Sequence, residues 1–220
     1  MPLWKNMAML WRRRESDAVH GLTFPNQFLK RAFDVVVALI GLALTWWIIL
    51  LASLCASLDT GKSGFFTQSR VGQNGKLFKI IKIRTMRDTP AITTNVTTQT
   101  DPRITRLGRF FRQTKIDELP QLINVLLGQM SFVGPRPDVS GFADQLAGAD
   151  RIILSIRPGI TGPATLRFRD EERILAEQSD PERYNREVIF PEKIRLNREY
   201  VEYYSFWKDV IYIWQTIIGR

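Results

Sequence analysis

Val35-Val-Val-Ala-Leu-Ile-Gly-Leu-Ala-Leu-Thr-Trp-Trp-Ile-Ile-Leu-Leu-Ala-Ser-Leu-Cys-Ala-Ser-Leu58 runs for 24 positions between Asp34 and Asp59 without a charge. About 20 apolar residues are enough to cross a bilayer, and the core helices of soluble proteins rarely run so far uncharged. The run starts too late, and lacks the small-residue cleavage site, for a signal peptide. Lys5, Arg12, Arg13, Arg14, Lys30 and Arg31 precede it, and Lys62, Arg70, Lys76, Lys79, Lys82 and Arg84 follow it. A spanning helix would send one of these basic flanks across, against the tendency of Lys and Arg to stay inside. A re-entrant helix, entering and leaving on one face, keeps both flanks cytoplasmic and is the expectation here. No Pro breaks the run, which leaves Gly41, Thr45 and Ser53 as weak bend points.

Working outward, the 220 residues carry a net charge of +9 and are 45% hydrophobic, which suits a domain with a real core and not a disordered polyelectrolyte. The charge is +2 over residues 1–59, +9 over 60–170 and −2 over 171–220, so a basic field is concentrated in the middle. Such a field usually meets phosphate, on nucleic acid, lipid or nucleotide. A single Cys, Cys55, excludes a disulfide framework or multi-thiolate metal site, and a single His, His20, excludes a His-pair centre. What remains is carboxylate chemistry, hydroxyl chemistry or binding alone. All six Trp lie outside the basic middle. The stretch Tyr200 to Ile218, with Trp207 and Trp214, reads as one amphipathic aromatic helix that either lies at a membrane interface or packs on the core.

Gly64 to Val71 and Lys76 to Thr85 read as strands joined across Asn74-Gly75, a strong hairpin signal. Thr-rich Arg87 to Asp101 reads as a mobile loop, and helical pattern resumes near Ile104. No Walker-type loop or G-x-G-x-x-G fingerprint is present. In Arg112-Gln-Thr-Lys-Ile-Asp117-Glu118-Leu-Pro120-Gln-Leu-Ile-Asn-Val-Leu-Leu-Gly128, the apolar spacing predicts a helix with Asp117 and Glu118 at its start. An ionised Asp there can attack phosphorus while its neighbour manages protons or helps hold a divalent cation. Simple capping of the helix by an acidic pair accounts for the spacing more readily. Beyond it, Pro135 and Pro137 stiffen the backbone on either side of Arg136, presenting a guanidinium suited to phosphate.

Six blocks in order resemble the bacterial sugar transferase family, the monotopic phosphoglycosyl transferases. They are Lys30-Arg31-Ala-Phe33-Asp34, Phe66-Thr-Gln68-Ser-Arg70-Val-Gly72, Phe78-Lys-Ile-Ile-Lys82-Ile-Arg84-Thr85-Met86, Asp117-Glu118-Leu-Pro120-Gln121-Leu-Ile-Asn124-Val, Met130-Ser-Phe-Val-Gly134-Pro135-Arg136-Pro137 and Arg157-Pro158-Gly159-Ile-Thr161-Gly162. The resemblance implies transfer of a sugar 1-phosphate from a UDP-sugar to a polyprenol phosphate such as undecaprenyl phosphate, with release of UMP. By that similarity Asp117 attacks the sugar-bearing phosphorus, Glu118 assists, and Mg²⁺ is held by Asp117 and Glu118. It further implies that Lys82, Arg84, Arg112, Pro135, Arg136, Pro137, Arg157 and Arg169 bind substrate. Expected partners are the donor, the lipid acceptor and membrane lipid at the cytoplasmic face of a bacterial inner membrane, with no nucleic acid and a homodimer left open. Two departures stand out. Trp46-Trp47 replaces the family's helix-breaking Ser-Pro, and Pro163-Ala164-Thr165 replaces its Trp-Ala-Gln, so no motif names the sugar.

The expected architecture is α+β and predominantly α. Residues 1–29 form a basic amphipathic extension and residues 30–59 the membrane helix. Residues 60–220 form a catalytic domain with a small β-hairpin and interfacial helices around a carboxylate site. The competing reading is a non-catalytic, membrane-attached binder of anionic lipid or nucleic acid, whose affinity would fall steeply with salt and survive loss of Asp117. With cysteines introduced as Leu10→Cys and Gly75→Cys, labelling of intact inner-membrane vesicles is expected to find both on one face. Opposite faces would rule out re-entry.

Overall fold

The computed structural model describes residues 22–88, 97–98 and 100–219. Trp4, Trp11, His20, the basic residues before the helix up to Arg14, and most of the expected mobile loop lie outside them. The fold is α+β and mostly helical, as expected.

The apolar run lies within helix α1 (Phe24–Thr60), which starts after extended Thr23 with Pro25 in its first turn and stops at left-handed Gly61. At 37 residues it is about 55 Å long. Its buried residues are Lys30, Asp34, Ala38, Ile49, Ala52 and Ala56, and these fall on one helical stripe. Val36, Leu39, Ile40, Leu44, Trp47, Leu50, Leu51, Leu54 and Leu58 stay exposed. One side of the helix is therefore core from end to end. Ala38 packs with Ile80, Leu122, Val125 and Met130, and Ile49, Ala52 and Ala56 pack with Ile83 and Phe111.

The first five residues of the resemblance explain that docking. Lys30 Nζ lies 2.5 Å from Asp209 Oδ2, both groups buried, while the Tyr200 and Tyr204 hydroxyls donate to Asp209 at 2.7 and 3.2 Å. Arg31 donates to the carbonyls of Val125 and Leu126 at 2.6 and 2.9 Å, at the end of a short helix whose last carbonyls lack intrahelical donors. Asp34 Oδ1 accepts from Ser131 Oγ and the Phe132 N–H, and Phe33 stacks edge-on against Phe132 and Phe206.

After α1, strands β1 (Phe65–Val71) and β2 (Leu77–Ile83) pair antiparallel, Phe65 opposite Ile83 and Val71 opposite Leu77. Asn74 and Gly75 take the positive φ values, 58° and 77°, that the turn between them demands. Helix α2 (Arg106–Thr114) is capped by Thr105, whose Oγ1 accepts the Gly108 N–H at 2.8 Å. Its left-handed end at Lys115 leads into a 3₁₀ turn, Ile116–Glu118, and then α3 (Gln121–Leu126). The acidic pair thus stands one turn ahead of α3, not in its first turn, because Lys115 reverses the chain early. Asn124, fully buried, ties α3 to β2: it accepts from Ile81 N–H at 3.0 Å and donates to Lys79 O at 2.8 Å.

Strand β3 (Ser131–Val133) runs parallel to β4 (Gly159–Thr161), a pair the sequence does not announce. A Cβ at Gly159 would sit 2.1 Å from the Gly134 nitrogen, so the two loops touch only because both are glycine. Helices α4 (Pro163–Arg167), α5 (Glu171–Ala176) and α6 (Pro181–Tyr184) follow, then α7 (Phe190–Glu202) and α8 (Phe206–Ile218). The stretch expected as one C-terminal helix is thus two. The break at Tyr203–Ser205 lets Tyr200 before it and Tyr204 within it both reach Asp209 beyond it. Helix α8 packs one face on the core and leaves the other face open. Asp209 is buried, whereas Trp207, Val210, Ile211, Trp214, Ile217 and Ile218 form an exposed apolar stripe, with Trp207 at 70% exposure.

Removing one member of a buried ion pair strands the other, typically at about 3–5 kcal/mol. Asp209→Ala is expected to lower the melting temperature of detergent-held protein by several degrees or more. Lys30→Met combined with Asp209→Leu should recover much of that loss.

Candidate active site

The acidic pair is buried between β2, the 3₁₀ turn and the loop after β3. Two cations converge on one oxygen of Glu118: Lys82 Nζ at 3.0 Å and Arg136 Nη2 at 2.5 Å. Burial alone would push the Glu118 carboxyl up, but Arg136 and then Lys82 outweigh it and hold it well below the usual range. Asp117 is treated the opposite way. Burial, and then the charge of Glu118, push its carboxyl up, while Lys82, Lys115 and Arg112 pull it partly back. Asp117 Oδ1 is buried and accepts no hydrogen bond from the described residues. Lys115, immediately before it, is one of only two non-glycine residues with positive φ among those described, at 60°. Such backbone strain costs on the order of 1 kcal/mol and clusters at functional sites.

The loop carrying Arg136 is fixed at both prolines. Pro135 O accepts the Gly159 N–H at 2.8 Å, and Pro137 O accepts from Arg70 Nη1 at 3.2 Å. Arg112 donates to Glu172 at 2.9 Å and to Thr85 Oγ1 at 3.3 Å. Lys82, Arg112, Pro135, Arg136 and Pro137 therefore gather at or beside the pair. Three other candidates are engaged elsewhere. Arg84 donates to Ser63 O, faces Asp88 and stacks on Phe66. Arg157 donates to Gly128 O beside Arg31, past the end of α3. Arg169 donates to the carbonyls of Gln215 and Gly219 at the end of α8, where a cation complements the helix dipole.

Several site residues escape a reading of the sequence. Arg70, within a block quoted above, is brought to the site by β1, and its Nε is buried without a partner. Asp138 is pushed up to about 6 by burial, against the pull of Lys193 and Arg70. Glu171 binds Lys193 with both oxygens, at 2.8 and 2.7 Å, across from Arg136. The signal for Arg70 lies in strand alternation, whereas Glu171 and Glu172 carry none.

Among the described residues no three His, Cys, Asp or Glu side chains cluster as a metal cage. The pair nevertheless fits a hard cation, since Asp117 has an unbonded buried oxygen and both hydrogen bonds to Glu118 fall on Oε1. Magnesium is characteristically bound through one or two carboxylates, with substrate phosphate and water completing its shell.

A buried carboxylate pair whose pKa values are pushed in opposite directions, ringed by lysine and arginine side chains and built onto a long apolar helix, is a site suited to phosphate-transfer chemistry. The bacterial sugar transferase family model matches residues 25–219, and the chain belongs to that family. It is 34% identical over 198 residues to the UDP-glucose:undecaprenyl-phosphate glucose-1-phosphate transferase of Escherichia coli K12, covering 87% of this chain and 40% of that protein. It is 35% identical over 196 residues to the protein of the same name from Caulobacter vibrioides, covering 86% and 68%. A putative undecaprenyl-phosphate N-acetylgalactosaminyl 1-phosphate transferase of Bacillus subtilis 168 shares 42% over 135 residues, covering 56% and 75%.

Because Asp117 is raised above its ordinary 3.8, chemistry that needs its carboxylate should fail on acidification before pH drops into that range. Arg136→Gln removes the largest force holding Glu118 ionised, so the Glu118 carboxyl should titrate at higher pH than in the unmodified chain, read by carbon NMR. The maximal rate should fall by roughly tenfold or more.

Proposed function

We propose that this chain transfers a sugar 1-phosphate from a UDP-sugar to undecaprenyl phosphate or a similar polyprenol phosphate, releasing UMP. The step would open glycan assembly at the cytoplasmic face of a bacterial inner membrane. The observation that carries the reading is Asp117 Oδ1, buried and unbonded beside a Glu118 held ionised. In the first half-reaction that oxygen attacks the sugar-bearing phosphorus, the P–O bond to UMP breaks, and UMP leaves with the electron pair. In the second, an oxygen of the lipid phosphate attacks the same phosphorus and the bond to Asp117 breaks. The carboxylate is restored and the sugar is carried on a lipid diphosphate. No net proton transfer is required. Arg112 and Arg136 bind the phosphates, and Lys82 with Arg136 keeps Glu118 charged. Mg²⁺ held by Asp117 and Glu118 would supply neutralisation of the diphosphate. Dividing the reaction lets a soluble anion and a lipid anion use one basic pocket in turn, so their charges are never held together.

A one-sided membrane attachment suits this chemistry. Both ends of α1 are bound to the same polar domain, Lys30 to Asp209 and Asp59 to Arg87, which supports attachment from one face, while α1 runs as one uninterrupted helix with no break at which to re-enter. The exposed apolar stripe of α8 supports an interfacial position for the C-terminal helix.

Protein held in nanodiscs with Mg²⁺, a UDP-sugar panel and undecaprenyl phosphate is expected to release UMP. Without the lipid, it should release about one equivalent per enzyme, retained as a phosphosugar on the protein. Asp117→Asn should lower turnover by at least roughly a thousandfold. No UMP from any donor, or full activity in Asp117→Asn, would refute the mechanism.

A further inference from the structure

Helix α5 places two carboxylates over the basic site. Glu171 holds Lys193, and Glu172 holds Arg112 through Oε1 to Nη1 at 2.9 Å. Arg112 is the guanidinium assigned above to the donor's phosphates, and its charge bears directly on Asp117. A carboxylate and a phosphate present the same pair of acceptor oxygens to a guanidinium, so they compete for it. Glu172 is half-exposed, and Leu175 is the only buried residue of α5, so the helix is lightly held. The segment follows Gly162, where the chain departs from its family pattern, and neither the acidic pair nor the anchor uses it.

We propose that Glu172 is an internal stand-in for a donor phosphate: it occupies Arg112 in the free protein and must be displaced before the diphosphate seats. This rests on the transfer reading above and adds a positioning residue to it. A monoanionic carboxylate holds Arg112 less strongly than a diphosphate, so the donor wins the exchange, at the cost of a reduced apparent affinity. After transfer, the returning carboxylate competes with the remaining phosphate of UMP and favours its departure. Arg112 is thus never left as a bare cation beside Asp117.

Titration of UDP into the nanodisc-held full chain by calorimetry tests this. A half-exposed ion pair corresponds to about a two- to fivefold effect. Glu172→Gln is therefore expected to tighten UDP by that factor, to lower the donor KM similarly, and to make UMP a stronger inhibitor. Glu172→Asp, which withdraws the carboxylate by one methylene, should move affinity in the same direction by less. Arg112→Gln should weaken UDP and abolish the effect of Glu172→Gln in the double variant. Unchanged UDP affinity in Glu172→Gln, with Arg112→Gln still weakening it, overturns the displacement and leaves the donor site in place. If Arg112→Gln also has no effect, the donor does not use Arg112 and the displacement falls with it. UMP release by the unmodified chain judges the transfer reaction independently of either result.

Discussion

A lysine only 6% exposed, at the polar end of a 24-residue apolar run, would be prohibitively costly without a partner, and Asp209 from the far end of the chain supplies one. That pair is the innermost of a set. Arg31 closes the end of α3, Asp34 gathers the start of β3, and Phe33 fills the space between β3 and α8. The position of every site element follows from it. With α3 seated on α1, Asn124 can clasp β2, which brings Lys82 to Glu118. With β3 seated, the Pro-Arg-Pro loop brings Arg136 to the same oxygen.

The resulting site separates two adjacent carboxylates by environment alone. Both are buried, yet the cations are not shared evenly. Arg136 and Lys82 bond to Glu118, whereas Asp117 feels Lys82, Lys115 and Arg112 only at a distance. One carboxylate is therefore held firmly charged, while the other is held less strongly. The strained Lys115 makes the separation possible, because its left-handed turn ends α2 just before the pair and aims consecutive side chains differently.

What could be read in the sequence was whatever has a local signature. The uncharged run and the Asn74-Gly75 turn follow from chemistry within a few residues, whereas the acidic pair and Arg136 are singled out as a site by the family resemblance. The sequence says less where distant contacts decide. Arg84, Arg157 and Arg169 are expected substrate ligands by resemblance, and each guanidinium also reaches a backbone carbonyl that only the tertiary fold brings near. The three-residue strands β3 and β4 are too short to show periodicity. The split between α7 and α8 is invisible in a continuously amphipathic stretch, since it exists to serve Asp209. Lys30-Arg31-Ala-Phe33-Asp34 could be matched as a motif, but its work as an anchor could not be told from composition.

The inward stripe of α1 bears on how the enzyme domain can be obtained. Ala38, Ile49, Ala52 and Ala56 are members of the two apolar clusters beneath the acidic pair, so the long apolar helix is also a wall of the domain that carries the site. Cutting the chain after Thr60 would open both clusters to water and leave Asp209 without its lysine. A water-soluble fragment made in that way would lose the support of β2 and α3, the two elements that hold Lys82 and Glu118 together. The long apolar helix and the site are consequently one structural unit, and truncating the first removes the support of the second.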